Sequence, residues 1–362
     1  MTDMDVCVVG LGYIGLPTAT VLASCGLQVV GVDVRQDTVD TINAGKVHIV
    51  EPDLDDLLLK VVTNGALRAT TKPERASAFI IAVPTPFRAA HEPDLRFVEE
   101  ATRAIAPVLE PGNVVLLEST SPVGTTEAVA RWLGEERSDL TVPGDVAVAY
   151  CPERVLPGKI LKELVQNDRV IGGLTAECAR VAASLYARFV KGQCILTDAR
   201  TAELCKLTEN SFRDVNIAFA NELSMICEKM GVDVWELINL TNHHPRVNVL
   251  QPGPGVGGHC IAVDPWFIVH SCPEEARLIR QARLVNDGKP DWVIRRVSVR
   301  FRALDRAAEL RGDPGHVCLF PLVRRSARQS SFPIRQGPGG LRGPDRGQGG
   351  SWHRLAILDV DR

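Results

Sequence analysis

The segment VCVVGLGYIGLPTATVLASCGLQVVGVDV, residues 6–34, constrains the fold more than any other part of the chain. Residues 6–9 are an apolar, largely β-branched run, as in a parallel strand buried on both faces. Residues 15–25 have helical patterning, and Gly26 suits a helix stop. Residues 27–33 then read as a second strand. The turn between the first strand and the helix is Gly10-Leu11-Gly12-Tyr13-Ile14-Gly15. In such a turn Gly10 permits the tight reversal, Gly12 lets backbone approach a diphosphate, and Gly15 lets the helix pack on the strand. The helix N-terminus then faces the phosphates. Asp33 ends the second strand, 18 residues after Gly15, where a carboxylate accepts hydrogen bonds from ribose hydroxyls. A bare GxGxxG is a weak signal, but this one sits in a complete strand–turn–helix–strand unit. It predicts a Rossmann-like dinucleotide site, with Asp33 favouring NAD over NADP and Arg35 standing beside it.

Further strand-like runs follow in AFIIAVP (78–84), NVVLLEST (113–120) and DVAVAYCP (145–152), separated by helical stretches such as residues 94–109. That alternation predicts an α/β domain with a doubly wound parallel sheet over residues 1–197. The pattern changes at Asp198. Residues 198–231 contain no proline and no internal glycine, and Leu204, Leu207, Phe212, Val215, Phe219, Leu223 and Ile226 recur at helical spacing. One helix of roughly 30 residues, about 45 Å long, is expected. A helix of that length links domains or builds a dimer interface. Residues 198–297 are read as a helical central, dimerisation domain interrupted by one glycine-rich segment. From Ser298 to Arg362 the chain has twelve Arg, nine Gly, five Pro and no Lys, with poor periodicity. It reads as an atypical, disordered tail.

Composition narrows the classes of function. Hydrophobic residues make up 45% and charged residues 23%, with a formal net charge of −3. Nothing there points to nucleic acid or an anionic membrane as partner. No apolar run approaches membrane-spanning length, and MTDMDVCVVG enters a strand with no room for a signal peptide. Ten cysteines lie scattered without CxxC spacing, so no metal site is expected and a reducing, cytoplasmic setting is.

Candidate chemistry lies at strand ends and in the helical region. VPTP (83–86) and ESTSPVGTT (118–126) place Thr85, Ser119 and Thr120 where open α/β sheets bind ligands, although each alone also suits a turn or helix cap. CPERVLPG (151–158) offers Glu153 and Arg154, the former to hold a water or proton or simply to pair at the surface. Lys206, Asn210 and Arg213 share one face of the long helix, suited to an oxyanion or a phosphorylated ligand, or to solvent. GPGVGGHCIAVDP (253–265) surrounds Cys260 with glycine and places Asp264 four residues later. A thiolate there would attack a carbonyl, and the other reading is a buried, inert cysteine, the commoner fate of such thiols, although it would not need such backbone freedom. NAD with a nucleophilic cysteine points to oxidation of an alcohol through an aldehyde and a thioester to an acid.

VVGLGYIGLP, VPTP, STSPVGTT, CPERVLPGKI, AELCKLTENSFRDVNIAFANE and GVGGHCIAVDP occur in this order. Together they resemble the UDP-glucose/GDP-mannose dehydrogenase family over residues 5–297. CPERVLPGKI, NHHPRVNVLQPG and GGHCIAVDPWF are most similar to members that act on UDP-N-acetylmannosamine. The resemblance implies four-electron oxidation of the sugar C6 hydroxyl to the uronate, with UDP-glucose or UDP-N-acetylglucosamine as alternative substrates. It implies Cys260 as nucleophile, Lys206 and Asn210 at the oxyanion, and Asp264, Thr120 and Glu153 handling water and protons. Tyr13, Ile14, Asp33, Thr85 and Thr120 would touch NAD. Arg154, Val155, Lys206, Asn210, Arg213, His244, Arg246 and Gly257 would hold the UDP-sugar, some from a partner subunit of a homodimer built on the long helix. Relatives of this kind continue into a third domain opened by a motif similar to GLAFKPxxDDxRxSP, and no such motif follows WVIRRV (292–297). Impaired turnover, or in the other direction a non-catalytic NAD-binding dimer, is the expectation from that departure.

Overall fold

The computed structural model describes the backbone of residues 4–258 and 260–311, with side chains to residue 299. Eight strands form one sheet: β1 (Met4–Val9), β2 (Val29–Val32), β3 (Leu67–Thr70), β4 (Ala76–Ile81), β5 (Val114–Leu117), β6 (Ala147–Tyr150), β7 (Arg169–Gly173) and β8 (Cys194–Asp198). Seven helices accompany it: α1 (Gly15–Ser24), α2 (Gln36–Asn43), α3 (Leu54–Thr63), α4 (Arg96–Ile105), α5 (Thr125–Glu136), α6 (Ile160–Gln166) and α7 (Ala176–Tyr186). Strand order is β3-β2-β1-β4-β5-β6-β7-β8. Every pairing is parallel except β6 with β7. The sheet is therefore mixed, where the apolar runs alone predicted parallel pairing throughout.

The central strands are apolar at every position because both faces are covered. Along β1, Val6 and Val8 point to one side and pack with Leu16 and Leu22 of α1 and Leu58 of α3. Cys7 and Val9 point to the other and pack with Val98 and Ile105 of α4 and Trp132 and Leu133 of α5. Each such aliphatic side chain, fully buried, contributes about 1.5–3 kcal/mol. β1 lies between β2 and β4, so the chain leaves it in opposite directions on its two sides. The carboxyl ends of β1 and β4 consequently part and leave a crevice, the place where open sheets bind nucleotides.

Beyond the sheet come α8 (Ala199–Met230), α9 (Val234–Thr241), α10 (Asp264–Ser271) and α11 (Arg277–Arg311). Asp198 starts α8 by accepting from the Thr201 amide (2.9 Å) and hydroxyl (2.7 Å), and Gly231 ends it in the left-handed conformation. Glu203, fully buried, accepts from the amides of Gly124 (2.6 Å) and Thr126 (2.7 Å) and from the Thr126 hydroxyl (2.6 Å). It caps α5, whose own N-cap is a glycine with no side chain to do so, and ties α8 to the sheet domain. α11 packs along α8 and runs to Arg311, past Ser298, where the sequence reading began the tail. The rest of that tail lies outside the described residues. Among the described residues, no helix is long and apolar enough to cross a membrane.

Candidate active site

The crevice between β1 and β4 has the features a dinucleotide requires. A Cβ on Gly15 would fall 1.8 Å from the Gly10 carbonyl oxygen, and one on Gly10 would fall 2.7 Å from that of Ala82. No other residue fits either position, whereas Gly12 faces open space. α1 begins with no side-chain cap and no acidic residue in its first turn, so its leading amides and dipole remain for an anion. Asp33 accepts from the amides of Leu11 (3.3 Å) and Arg35 (3.0 Å), which fixes its carboxylate at the end of β2. The Arg35 guanidinium forks onto Asp37. Both side chains of that pair are exposed, and Asp33 is the carboxylate fixed at this corner. Tyr13 is exposed at the mouth and Ile14 half-buried behind it. These residues fit NAD.

Thr85, Ser119 and Thr120 line the adjoining strand ends. Thr85 donates to the Thr120 carbonyl (2.5 Å), tying the loop after β4 to the loop after β5. The Ser119 hydroxyl is engaged by the Val83 carbonyl (2.7 Å), a structural role.

The helical elements bring the second group of residues together. Lys206 and Asn210, on consecutive turns of α8, are both buried. Asn210 donates its amide to Asp264 at the start of α10. Cys260 lies one turn earlier, and its carbonyl accepts from the amides of Val263 (3.0 Å) and Asp264 (2.8 Å). The Cys260 thiol lies close enough to α8 to feel the charges of Lys206 and Arg213. Although Cys260 is open to solvent on one side, the protein packed around it pushes the thiol up, and the Asp264 charge adds to this. Lys206 and Arg213 oppose both. Burial raises Asp264 to about 6 against the pull of Asn210 and Lys206. Burial keeps the Tyr150 hydroxyl, at the carboxyl end of β6, protonated, and the nearby Glu203 and Asp264 charges reinforce this. His91, in the loop after β4, stacks on Trp266 of α10 with centroids 3.8 Å apart. The cluster thus stands at the carboxyl ends of the strands, on the same side as the dinucleotide crevice.

Glu153 is buried and held from behind. Its carboxylate accepts from the Arg169 guanidinium (2.9 Å) and from the Arg154 amide (2.7 Å). Arg169 is itself buried and lies over the Tyr186 ring at 5.3 Å. The Tyr186 hydroxyl donates to the buried Glu118 (2.7 Å), which burial and the Glu153 charge push up to about 7. Arg169 escapes a sequence reading because an isolated charge in a strand-like run looks like a surface residue. Glu51 supports the same loop, accepting from the amides of Gly158 (2.8 Å) and Ile160 (2.7 Å).

The remaining residues lie further out. Arg154 pairs with Glu209 (2.6 Å) on α8, and Val155 is half-buried beside it. Arg213 is exposed on the face of Lys206 and Asn210. Gly257 has open space around it. His244 and Arg246 are exposed and bonded to one another, the Arg246 amide donating to His244 (3.4 Å). Among the described residues, no hydrogen bond or ion pair joins them to the Cys260 cluster.

Comparison with known proteins agrees with this geometry. The chain is 66% identical over 309 residues to the NDP-N-acetyl-D-galactosaminuronic acid dehydrogenase of Ralstonia nicotianae, covering 83% of this chain and 73% of that one. It is 59% identical over 329 residues to the UDP-N-acetyl-D-mannosamine dehydrogenase of Escherichia coli K12, covering 89% and 78%. Among solved structures it superposes on UDP-D-ManNAc dehydrogenase from Pyrococcus horikoshii with a TM-score of 0.79 at 46% identity, covering 84% and 72%. The NAD binding domain of the UDP-glucose/GDP-mannose dehydrogenase family matches residues 4–190, and the central domain of that family matches residues 200–288. With its glycine-lined crevice and its Cys260 cluster falling within those two matched regions, the chain belongs to the UDP-glucose/GDP-mannose dehydrogenase family.

Proposed function

We propose that this chain oxidises the C6 hydroxyl of UDP-N-acetylmannosamine to the uronate by a four-electron, NAD-dependent reaction on Cys260. The observation that carries the reading is the grouping of a thiol, a buried ammonium, a buried amide and a buried carboxylate on α8, on α10 and in the turn before it, with Trp266 of α10 stacked on His91 of the loop after β4. NAD, when bound, supplies the hydride acceptor for both oxidations. Loss of the first hydride and the hydroxyl proton leaves an aldehyde, the proton passing to water by way of Thr120 and Glu153 in this reading. The Cys260 sulfur then adds to the aldehyde carbon. Lys206 and Asn210 stabilise the oxygen that becomes negative. Loss of the second hydride converts this thiohemiacetal to a thioester. Asp264 takes a proton from water, which adds to the thioester carbon. Collapse breaks the C–S bond and returns the sulfur. In sum, one alcohol, two NAD and one water give one carboxylate, two NADH and three protons.

Arg154, Val155, Arg213 and Gly257 are assigned to the diphosphate and sugar of the substrate. His244 and Arg246, exposed and with no bond to the cluster among the described residues, are assigned to the cleft of a second copy. A homodimer is supported by α8 itself. Phe212, Phe219 and Ile226 recur every seventh residue on one face and are 68%, 55% and 43% exposed. A second sugar is favoured by one observation, the 66% identity to the Ralstonia relative, named as an NDP-N-acetyl-D-galactosaminuronic acid dehydrogenase. Both sugars carry an N-acetyl group, and the same thiol chemistry serves either. Cys260→Ser should form no uronate from UDP-N-acetylmannosamine, as followed by NMR of the sugar. Uronate released at the wild-type rate by this variant would overturn the assignment.

A further inference from the structure

The glycine-rich segment before Cys260 has little side-chain material with which to hold itself in place. Gly257 and Gly258 have no neighbour within 4 Å of an added Cβ. Glycine segments lose the most conformational freedom on ordering, so the position of Cys260 has to be fixed from outside. Three points on α8 and α11 reach the loop. Asn221 of α8 accepts from the Gly253 amide (2.9 Å). Pro290 of α11 lies against Gly255, where an added Cβ would meet its ring at 2.8 Å. Arg283 of α11 donates to the carbonyl of Ile261 (3.4 Å), the residue next to Cys260.

The polar members of this set form one buried network. Arg283 pairs with Asp214 (2.5 Å). Asn286 donates to the Asp214 carboxylate (2.8 Å) and backbone carbonyl (3.0 Å). Asn221 donates to Asn286 (2.9 Å). Lys289 donates to the Asn221 carbonyl (3.3 Å). None of these five residues is more than 3% exposed. Buried ion pairs are poor sources of stability compared with apolar packing of the same volume. Among the described residues, Asp214 Oδ2 and Arg283 Nε find no hydrogen-bond partner. A network built only to join two helices has no need to send one arm to each end of a glycine loop.

We infer that Arg283 and Asn221 are positioning residues that clamp the two ends of the loop 253–261 and so set the place of the Cys260 sulfur. The inference rests on the assignment of Cys260 as nucleophile. The variants are Arg283→Lys, which keeps the charge beside Asp214 but loses the fork that reaches Ile261, and Asn221→Leu, which removes the acceptor for Gly253. Hydrogen exchange of the 252–263 peptide and steady-state kinetics are measured on the full chain. Each variant should raise exchange in that peptide about tenfold with exchange in β1 and β5 unchanged. Each should lower kcat about 10–100-fold while KM for NAD stays within about twofold. If either substitution prevents folding, Gly255→Ala disturbs the same loop through Pro290 and should loosen it likewise. Folded variants with wild-type exchange in 252–263 overturn the clamp. A loosened loop with unchanged kcat overturns the positioning role, while uronate formation by Cys260→Ser tests the nucleophile separately.

Discussion

Asp264 is held under two opposing demands. It is buried, which raises it to about 6, and the proposed mechanism asks it to take a proton from water. Its folded value lies above its ordinary 3.8, so the charged form costs stability. That cost is absent below about pH 3.8, grows as the pH rises, and is complete above about pH 6. Asp264→Asn should therefore raise Tm at pH 7.5 while lowering kcat about 10²–10⁴-fold. In the wild type, kcat should fall below about pH 6 as Asp264 takes up a proton. An Asn variant with an unchanged rate, or an acid limb that survives in it, would contradict the role. Several of these residues were readable from the chain. Gly10, Gly15 and Asp33 stand within one continuous unit whose spacing has few uses. Arg169 and Arg283 were not readable, because the partners that explain them lie 16 and 69 residues away. Their burial is a property of the fold. Arg35, two residues after Asp33, pairs with Asp37 on the exposed edge of the same corner.

At the scale of elements, α8 does three things along one length. Its first turns tie to the sheet through Glu203, its middle carries Lys206 and Asn210, and its outer face presents a phenylalanine stripe. Its limits were legible because Asp198 and Gly231 mark both ends and nothing between them breaks a helix. α11 was less legible. Pro290 lies inside it, where a proline normally ends a helix, and packing against α8 overrides that preference. β3, β7 and β8 also escaped, being short or carrying a polar residue such as Arg68 or Arg169 within the run. The stripe gives a direct prediction. Wild-type protein should sediment as a dimer, and the double substitution Phe212→Asp/Phe219→Asp should shift it to monomer. A wild-type monomer, or a variant that remains dimeric, would place the interface elsewhere.

At the scale of the whole molecule, the parting of strands at β1 and β4 and the packing of α8, α10 and α11 beside it give one site from two regions of sequence. The alternating apolar runs made the doubly wound sheet legible. The antiparallel entry of β7 was not, since strand direction depends on how the CPERVLPG loop and α6 return across the edge. The central claim is that a single cleft carries an alcohol through two oxidations without releasing the aldehyde. The most direct test is the ratio of NADH formed to UDP-N-acetylmannosamine consumed by the purified chain. The account predicts two NADH per sugar with uronate as the only sugar product. One NADH per sugar with free aldehyde accumulating, or no NADH while NAD still binds, would contradict it.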